Sequence, residues 1–260
     1  MGYDVTGKRV LVTGASSGIG AGLAVALAKA GATVGICARR EDRLKEVLAQ
    51  CVEHAPASKM WVTDLSVPEE VDALADVAVE ELGGVDVLVN NAGIPKRRHV
   101  TKLDISTVEA VANLDYFSAV RLTLALLPQM LDRGEGRIVN VSSVAATLSS
   151  PGEAAYAAAK AALSVWSEGM AVDLWDTGVK VLVVYPGVVD TELFALPDND
   201  AFTAEVEKIT VEECVATVLA ALEREELQVY VPAWFADVAA RKASDVAGFL
   251  AGTAAYVRGR

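Results

Sequence analysis

The sequence predicts an α/β fold: a doubly wound parallel sheet of about seven strands with helices on both faces. Two observations point there. Short apolar runs alternate with helical patterns almost from end to end, which is the mark of repeated right-handed β-α-β crossovers. The runs are continuously apolar, as in strands covered on both sides, and 53% of the 260 residues are hydrophobic, enough for a large core. No Gly/Ser-rich linker, repeat or low-complexity tract interrupts the chain, so residues 1–260 read as one domain.

The expected strands, in order, are Arg9–Thr13, Thr33–Cys37, Met60–Thr63, Val85–Asn90, Arg137–Ser142, Val179–Tyr185 and Gln228–Val231. Helices fill the gaps at Ile19–Ala30, Arg43–Glu53, Glu69–Leu82, Leu103–Leu131, Ala154–Asp176 and Glu212–Glu223. Gly31 stops the first. Pro68 with Glu69 and Glu70 opens the third, placing proline and acids where a first turn favours them. Thr210 and Glu213 form a capping box before the last. Residues 233–260 continue as a helical extension, with Phe235, Val238, Val246, Phe249, Leu250, Thr253 and Val257 at roughly helical spacing, and a packed helix is expected.

Composition narrows the function classes. A formal net charge of −12 disfavours nucleic acid and anionic membranes as partners. Cys37, Cys51 and Cys214 are scattered and read as small buried apolar residues. With only His54 and His99, a histidine triad or zinc site is hard to assemble, and no metal is expected. Met1 to Arg9 is polar and Val10 opens a strand, not a signal core, so a cytoplasmic location is expected. The apolar stretch Leu122–Leu127 is too short for a bilayer and meets Pro128.

In sheets of this kind ligands bind beyond the carboxyl ends of the strands. The unusual sequences gather there. Gly14, Ser16, Ser17, Gly18 and Ile19 follow the first strand, where glycines let the backbone approach a phosphate and the helix N-terminus offers free amides. The second strand ends Ala38-Arg39-Arg40, with no acid at the place that usually holds a ribose 2′-hydroxyl. Arginine suits a 2′-phosphate, so NADP(H) is the expected cofactor. NAD(H) stays open, with Glu41 or Asp42 on the ribose. Asp64 and Leu65 end the third strand, and Asn91, Ala92 and Gly93 the fourth. Tyr156 and Lys160 lie four residues apart on one helix face, and Ser143 lies thirteen residues before the tyrosine. An ammonium beside a phenol favours its ionised form, and a serine hydroxyl can donate to a substrate oxygen as charge builds on it.

These motifs resemble the short-chain dehydrogenase/reductase family in its single-domain, Rossmann-type form. They are T-G-x-x-x-G-I-G at Thr13–Gly20, N-N-A-G at Asn90–Gly93, Ser143, Y-x-x-x-K at Tyr156–Lys160, and P-G-x-V-x-T at Pro186–Thr191. The resemblance implies an oxidoreductase that moves hydride between nicotinamide and a ketone or secondary alcohol. Tyr156 would be the general acid or base. Lys160 would lower its pKa and hold the nicotinamide ribose. Ser143 would polarise the substrate oxygen, and Asn113 would support a proton-relay water beside the lysine. Asp64 and Leu65 would line the adenine, Asn91 to Gly93 the adenosine ribose, and Val189 and Thr191 the carboxamide. Ser142 competes with Ser143, and spacing favours Ser143. A second basic residue found in some NADP(H) relatives is replaced by Ser17, leaving the phosphate to Arg39 and Arg40.

Residues 188–209 match the family's substrate loop, where Leu193, Phe194 and Leu196 either wall an apolar carbonyl substrate or pack the loop. Lys96-Arg97-Arg98 reads mainly as a solvated loop. Relatives pair the two apolar helices Leu103–Leu131 and Ala154–Asp176 into homodimers or homotetramers, which is the expectation here. An NAD(H)-linked alcohol dehydrogenase and a non-catalytic nucleotide-binding sensor or scaffold are the alternatives.

Overall fold

A computed structural model describes residues 2–148, 150–195, 199–200 and 206–259. Seven strands form one parallel sheet in the order β3-β2-β1-β4-β5-β6-β7. In chain order the elements begin β1 (Arg9–Thr13), α1 (Gly18–Lys29), β2 (Thr33–Ala38), α2 (Glu41–Val52), β3 (Lys59–Val62), α3 (Pro68–Leu82) and β4 (Val87–Asn90). They continue α4 (Ile105–Ala112), α5 (Ser118–Arg133), β5 (Gly136–Val141), α6 (Ala145–Leu148), α7 (Ala154–Asp173), β6 (Val179–Pro186), α8 (Val211–Glu223), β7 (Gln228–Val231), α9 (Phe235–Ser244) and α10 (Val246–Arg258). The winding direction reverses between β1 and β4, the place at whose carboxyl edge folds of this kind bind ligands.

The alternating side chains of the central strands build two cores. Val10, Val12, Val87, Val89, Val139 and Val141 face one side, where Leu23 and Leu27 of α1 and Val218 and Leu222 of α8 cover them. Leu11, Leu88 and Ile138 face the other, against Leu74 of α3, Leu122 and Leu126 of α5, and Met170 of α7. The central strands β1, β2 and β4 therefore have no exposed face, and their sequences show no alternation. Local punctuation is as expected at α3, which has Pro68 in its first turn, and at α8, where Thr210 and Glu213 form the capping box.

Three expectations change. The single long helix Leu103–Leu131 is α4 and α5 joined by a wider, π-helical turn, Asn113–Phe117. It also runs through Pro128 to Arg133, because Leu122, Leu126 and Met130 anchor it on the sheet and offset the lost backbone bond. The run Ile105–Arg133 is long and apolar enough by composition to cross a bilayer, yet its inward face is part of the core. Finally, the C-terminal extension is two helices broken at Asp245, whose carboxylate caps Gly248 N. Phe235 packs α9 onto the body of the chain, whereas α10 buries no residue within it.

Candidate active site

The glycine turn is shaped by close backbone approach. Gly14 has φ +64, and a Cβ there would lie 2.7 Å from Ala92 Cα. Gly18 has φ +56 and faces Thr191 Cγ2. Both conformations favour a residue without a Cβ. Thr13 ties the turn to the next strand end. Its Oγ1 accepts from Asn91 N (2.9 Å) and Ala92 N (3.1 Å) and donates to Val89 O (3.3 Å). Asn91 Nδ2 donates back to Thr13 O (3.0 Å) and Gly14 O (3.2 Å). Ser17 is the N-cap of α1 but makes no side-chain cap, so the first-turn amides keep their donors for a ligand. Ile19 packs partly against the core behind them.

At the second strand end Arg39 is exposed, 3.8 Å from Asp64 Oδ2. Arg40 folds back over the turn, donating to Ser16 Oγ (3.0 Å) and Ser17 Oγ (2.7 Å) and pairing with Glu192 at 2.7 Å. Asp64 accepts from Ser66, and Leu65 is buried in the second core. Val189 is buried and bridges Ile209.

The catalytic candidates meet on the same edge. The Ser143 hydroxyl lies beside the Tyr156 phenol, close enough to favour its ionised form, and accepts from Ala145 N (3.1 Å). Ser142 is turned away, bonded to Lys160 O (3.0 Å) and Ser164 Oγ (2.8 Å), which decides between the two serines. Lys160 Nζ donates to Val141 O (3.0 Å) and lies 5.8 Å from the Tyr156 ring centre. Burial raises the Tyr156 phenol above its ordinary value; the Asp115 carboxylate adds to this, the Ser143 hydroxyl opposes it, and Glu153 adds again. Burial and the Asp115 carboxylate together outweigh the Ser143 hydroxyl.

Asn113 does not take the place expected of it beside the lysine. It is exposed and lines an outer groove of about 740 Å³ between α3 and α5, with Leu65, Val71, Phe117 and Arg121. Asp115 is the residue that the π-helical turn carries inward. It is buried, with Oδ2 3.6 Å from Lys160 Nζ and Oδ1 accepting from Ile94 N (2.8 Å). The signal was present: Val111, Asp115, Ser118 and Leu122 recur at helical spacing on the buried face, and position 113 does not.

Arg97 also departs from expectation. It is 4% exposed, and its Nε donates to Asp200 O (3.2 Å) while its backbone N donates to Asn199 Oδ1 (2.6 Å). Buried Glu153 faces it; burial raises the Glu153 carboxyl and Arg97 opposes the rise. Of the expected substrate loop 188–209, Leu193 is half-buried, whereas Leu196 and residues 201–205 lie outside the described residues, as does the side chain of Phe194.

A doubly wound parallel sheet with a glycine turn at its switch point and a Ser–Tyr–Lys cluster beside it defines a Rossmann-type architecture. The chain belongs to the short chain dehydrogenase family, whose model matches residues 8–200. A short chain dehydrogenase of Pseudocercospora fijiensis is 38% identical over 203 residues, covering 77% of this chain, and the chain spans only 65% of that relative's length. The crystal structure of a short-chain dehydrogenase from Streptomyces avermitilis superposes with a TM-score of 0.83 at 33% identity, covering 98% of this chain and 99% of that one. A short-chain dehydrogenase from Sphingobium yanoikuyae in complex with NADPH has a TM-score of 0.81 at 30% identity, covering 92% and 95%.

Proposed function

We propose that this chain is an NADP(H)-dependent oxidoreductase acting on a ketone or secondary alcohol, with a largely apolar substrate. The observation that carries the reading is the Tyr156 phenol flanked by the Ser143 hydroxyl and the Lys160 ammonium, on the edge where the glycine turn brings the uncapped N-terminus of α1. The glycine turn fits a dinucleotide: the α1 amides are free of any side-chain cap. NADPH, as held by the Sphingobium relative, would supply the hydride.

The chain's residues would position and protonate. Gly14 to Ile19 would hold the pyrophosphate, Asn91 to Gly93 and Asp64 the adenosine half, and Val189 and Thr191 the nicotinamide end. Ser143 would polarise the carbonyl oxygen. Tyr156 would give it a proton in reduction and take one in oxidation. Lys160 would keep positive charge beside that transfer. Arg39, exposed at the end of β2, would meet the 2′-phosphate.

An NAD(H)-linked alcohol dehydrogenase is the second reading. It is favoured by one fact: Arg40 is already engaged by Ser16, Ser17 and Glu192, leaving Arg39 as the basic side chain at hand. We further propose a homodimer or homotetramer through the outer faces of α5 and α7, where Leu124, Leu131, Val165 and Val172 are exposed. A cytoplasmic setting is proposed with it, supported by three free, buried cysteines.

The test is NADPH consumption across ketones graded by chain length and charge, in wild type and Tyr156→Phe. A loss of about 10²-fold or more in kcat is expected for the variant. Equal turnover would remove the mechanism. Tight NADPH binding with no turnover of any carbonyl would instead favour a non-catalytic sensor.

A further inference from the structure

Asp115 puts a carboxylate inside the Ser–Tyr–Lys cluster. It is 1% exposed, and its Oδ2 has no hydrogen-bond partner among the described residues. That oxygen reaches Lys160 Nζ only at 3.6 Å, while Lys160 makes its short bond to Val141 O. The other oxygen has one amide, Ile94 N. A buried carboxylate held by one amide and one distant ammonium is poorly compensated for lost water, and taking up a proton relieves it. The packing admits no larger neighbour: a Cβ on Gly93 would lie 2.8 Å from Oδ2 and 3.0 Å from Lys160 Nζ.

The charged groups around it are few. Lys160 and Tyr156 face it from α7, with Glu153 beyond the tyrosine. Glu109 of α4 and Arg121 of α5 are exposed, and Arg121 pairs with Asp72. Tyr116 shares the π-helical turn. The segment after β4 offers the Ile94 amide.

We propose that Asp115 is a positioning residue whose ionisation gates the proposed chemistry: as a carboxylate it engages the Lys160 ammonium and opposes phenolate formation at Tyr156, and as a neutral acid it releases both. This rests on the hydride-transfer reading above, but its two halves can be tested without turnover. Burial raises the Asp115 carboxyl to about 6, against the opposing pull of Lys160 and Ile94, which places the switch in an accessible pH range. The same carboxylate is the largest charge acting to raise Tyr156.

The experiment is a 13C NMR titration of protein labelled at aspartate Cγ and tyrosine Cζ, in wild type, Asp115→Asn and Tyr156→Phe, with NADP+ added. One aspartate should titrate near pH 6 and vanish in D115N, and the Tyr156 signal (assigned by Y156F) should titrate at lower pH in D115N, by about one unit or more. An aspartate set that titrates wholly below about pH 4.5, or a Tyr156 signal unmoved in D115N, would overturn the proposal. The wild-type aspartate titration decides the first half even if D115N fails to fold. Kinetics give the second readout. Reduction kcat/KM should fall by up to about tenfold across that step in wild type and show no step in D115N. Turnover with superimposable pH profiles would sink the gating and leave hydride transfer standing. Absence of turnover would count against hydride transfer alone, and the NMR titration would then decide for or against Asp115 by itself.

Discussion

Replacing Thr13 with valine isolates one hydroxyl that joins the glycine turn to the segment after β4. The swap keeps the shape of a residue that is 2% exposed. It strands the amides of Asn91 and Ala92, now accepted at 2.9 and 3.1 Å, and removes a donor from Val89 O. A serine or threonine hydroxyl has one donor and two acceptor sites, so all of its capacity is in use. An unsatisfied amide costs about 1–3 kcal/mol. Both amides belong to half-buried residues, so the lower end applies to each, and the sum with the lost Val89 bond is about 2–3 kcal/mol. For a chain of 260 residues that is a fall in Tm of roughly 4–12 °C. Urea unfolding of wild type, Thr13→Val and Thr13→Ser would measure it, with NADPH affinity read by fluorescence alongside. The serine variant keeps the hydroxyl and should lose less than the valine variant. Were valine to cost under about 0.5 kcal/mol, or no more than serine, the hydroxyl would not be what holds the two strand ends together.

Other predictions concern the same edge and its support. Arg39→Ala should weaken NADPH by about 10-fold or more, the size of a charge-assisted bond, and leave NADH unchanged; fluorescence titration with both cofactors decides, and tighter NADH binding by wild type would defeat the NADP(H) assignment. Gly14→Ala should cost about 2–4 kcal/mol, because φ +64 disfavours a side chain and the new Cβ would lie 2.7 Å from Ala92 Cα; chemical denaturation checks it, and a neutral result would mean that the turn can shift. Asp86 concerns stability alone. Burial raises its carboxyl, but hydrogen bonds from Arg9 and the charges of Arg9 and Arg133 outweigh this and hold it below the ordinary value. Its contribution is present above the unfolded pKa of about 3.9 and is lost as pH falls through the lower folded value. Asp86→Asn should therefore lose about 1–3 kcal/mol at pH 7 and converge on wild type in acid; a gap that did not narrow on acidification would contradict the role given to its charge.

Much of the architecture was readable because both sheet faces are covered. Continuous apolar runs such as Val10-Leu-Val and Val87-Leu-Val can only be strands of a buried parallel sheet when helical patterns separate them. The glycine turn and the Tyr156–Lys160 pair were legible for a related reason: each is local, within one turn of chain. Asn113 was misjudged because the motif was placed without regard to the helix face: Val111, Asp115, Ser118 and Leu122 share the buried side, and Asp115 is the one that lies beside Lys160. Arg97 was misjudged because its burial depends on the 199–200 segment, about a hundred residues away.

Sequence alone determined the order of strands and helices, the edge on which the unusual residues gather, and the presence of a phenol–ammonium pair on one helix face. These follow from periodicity and spacing, which act over a few residues. Tertiary structure decided the electrostatics: which serine meets the phenol, which carboxylate meets the ammonium, and whether the phenol becomes more or less acidic. Those depend on burial and on charges brought together by separate elements, and distance through folded space has no counterpart in distance along the chain.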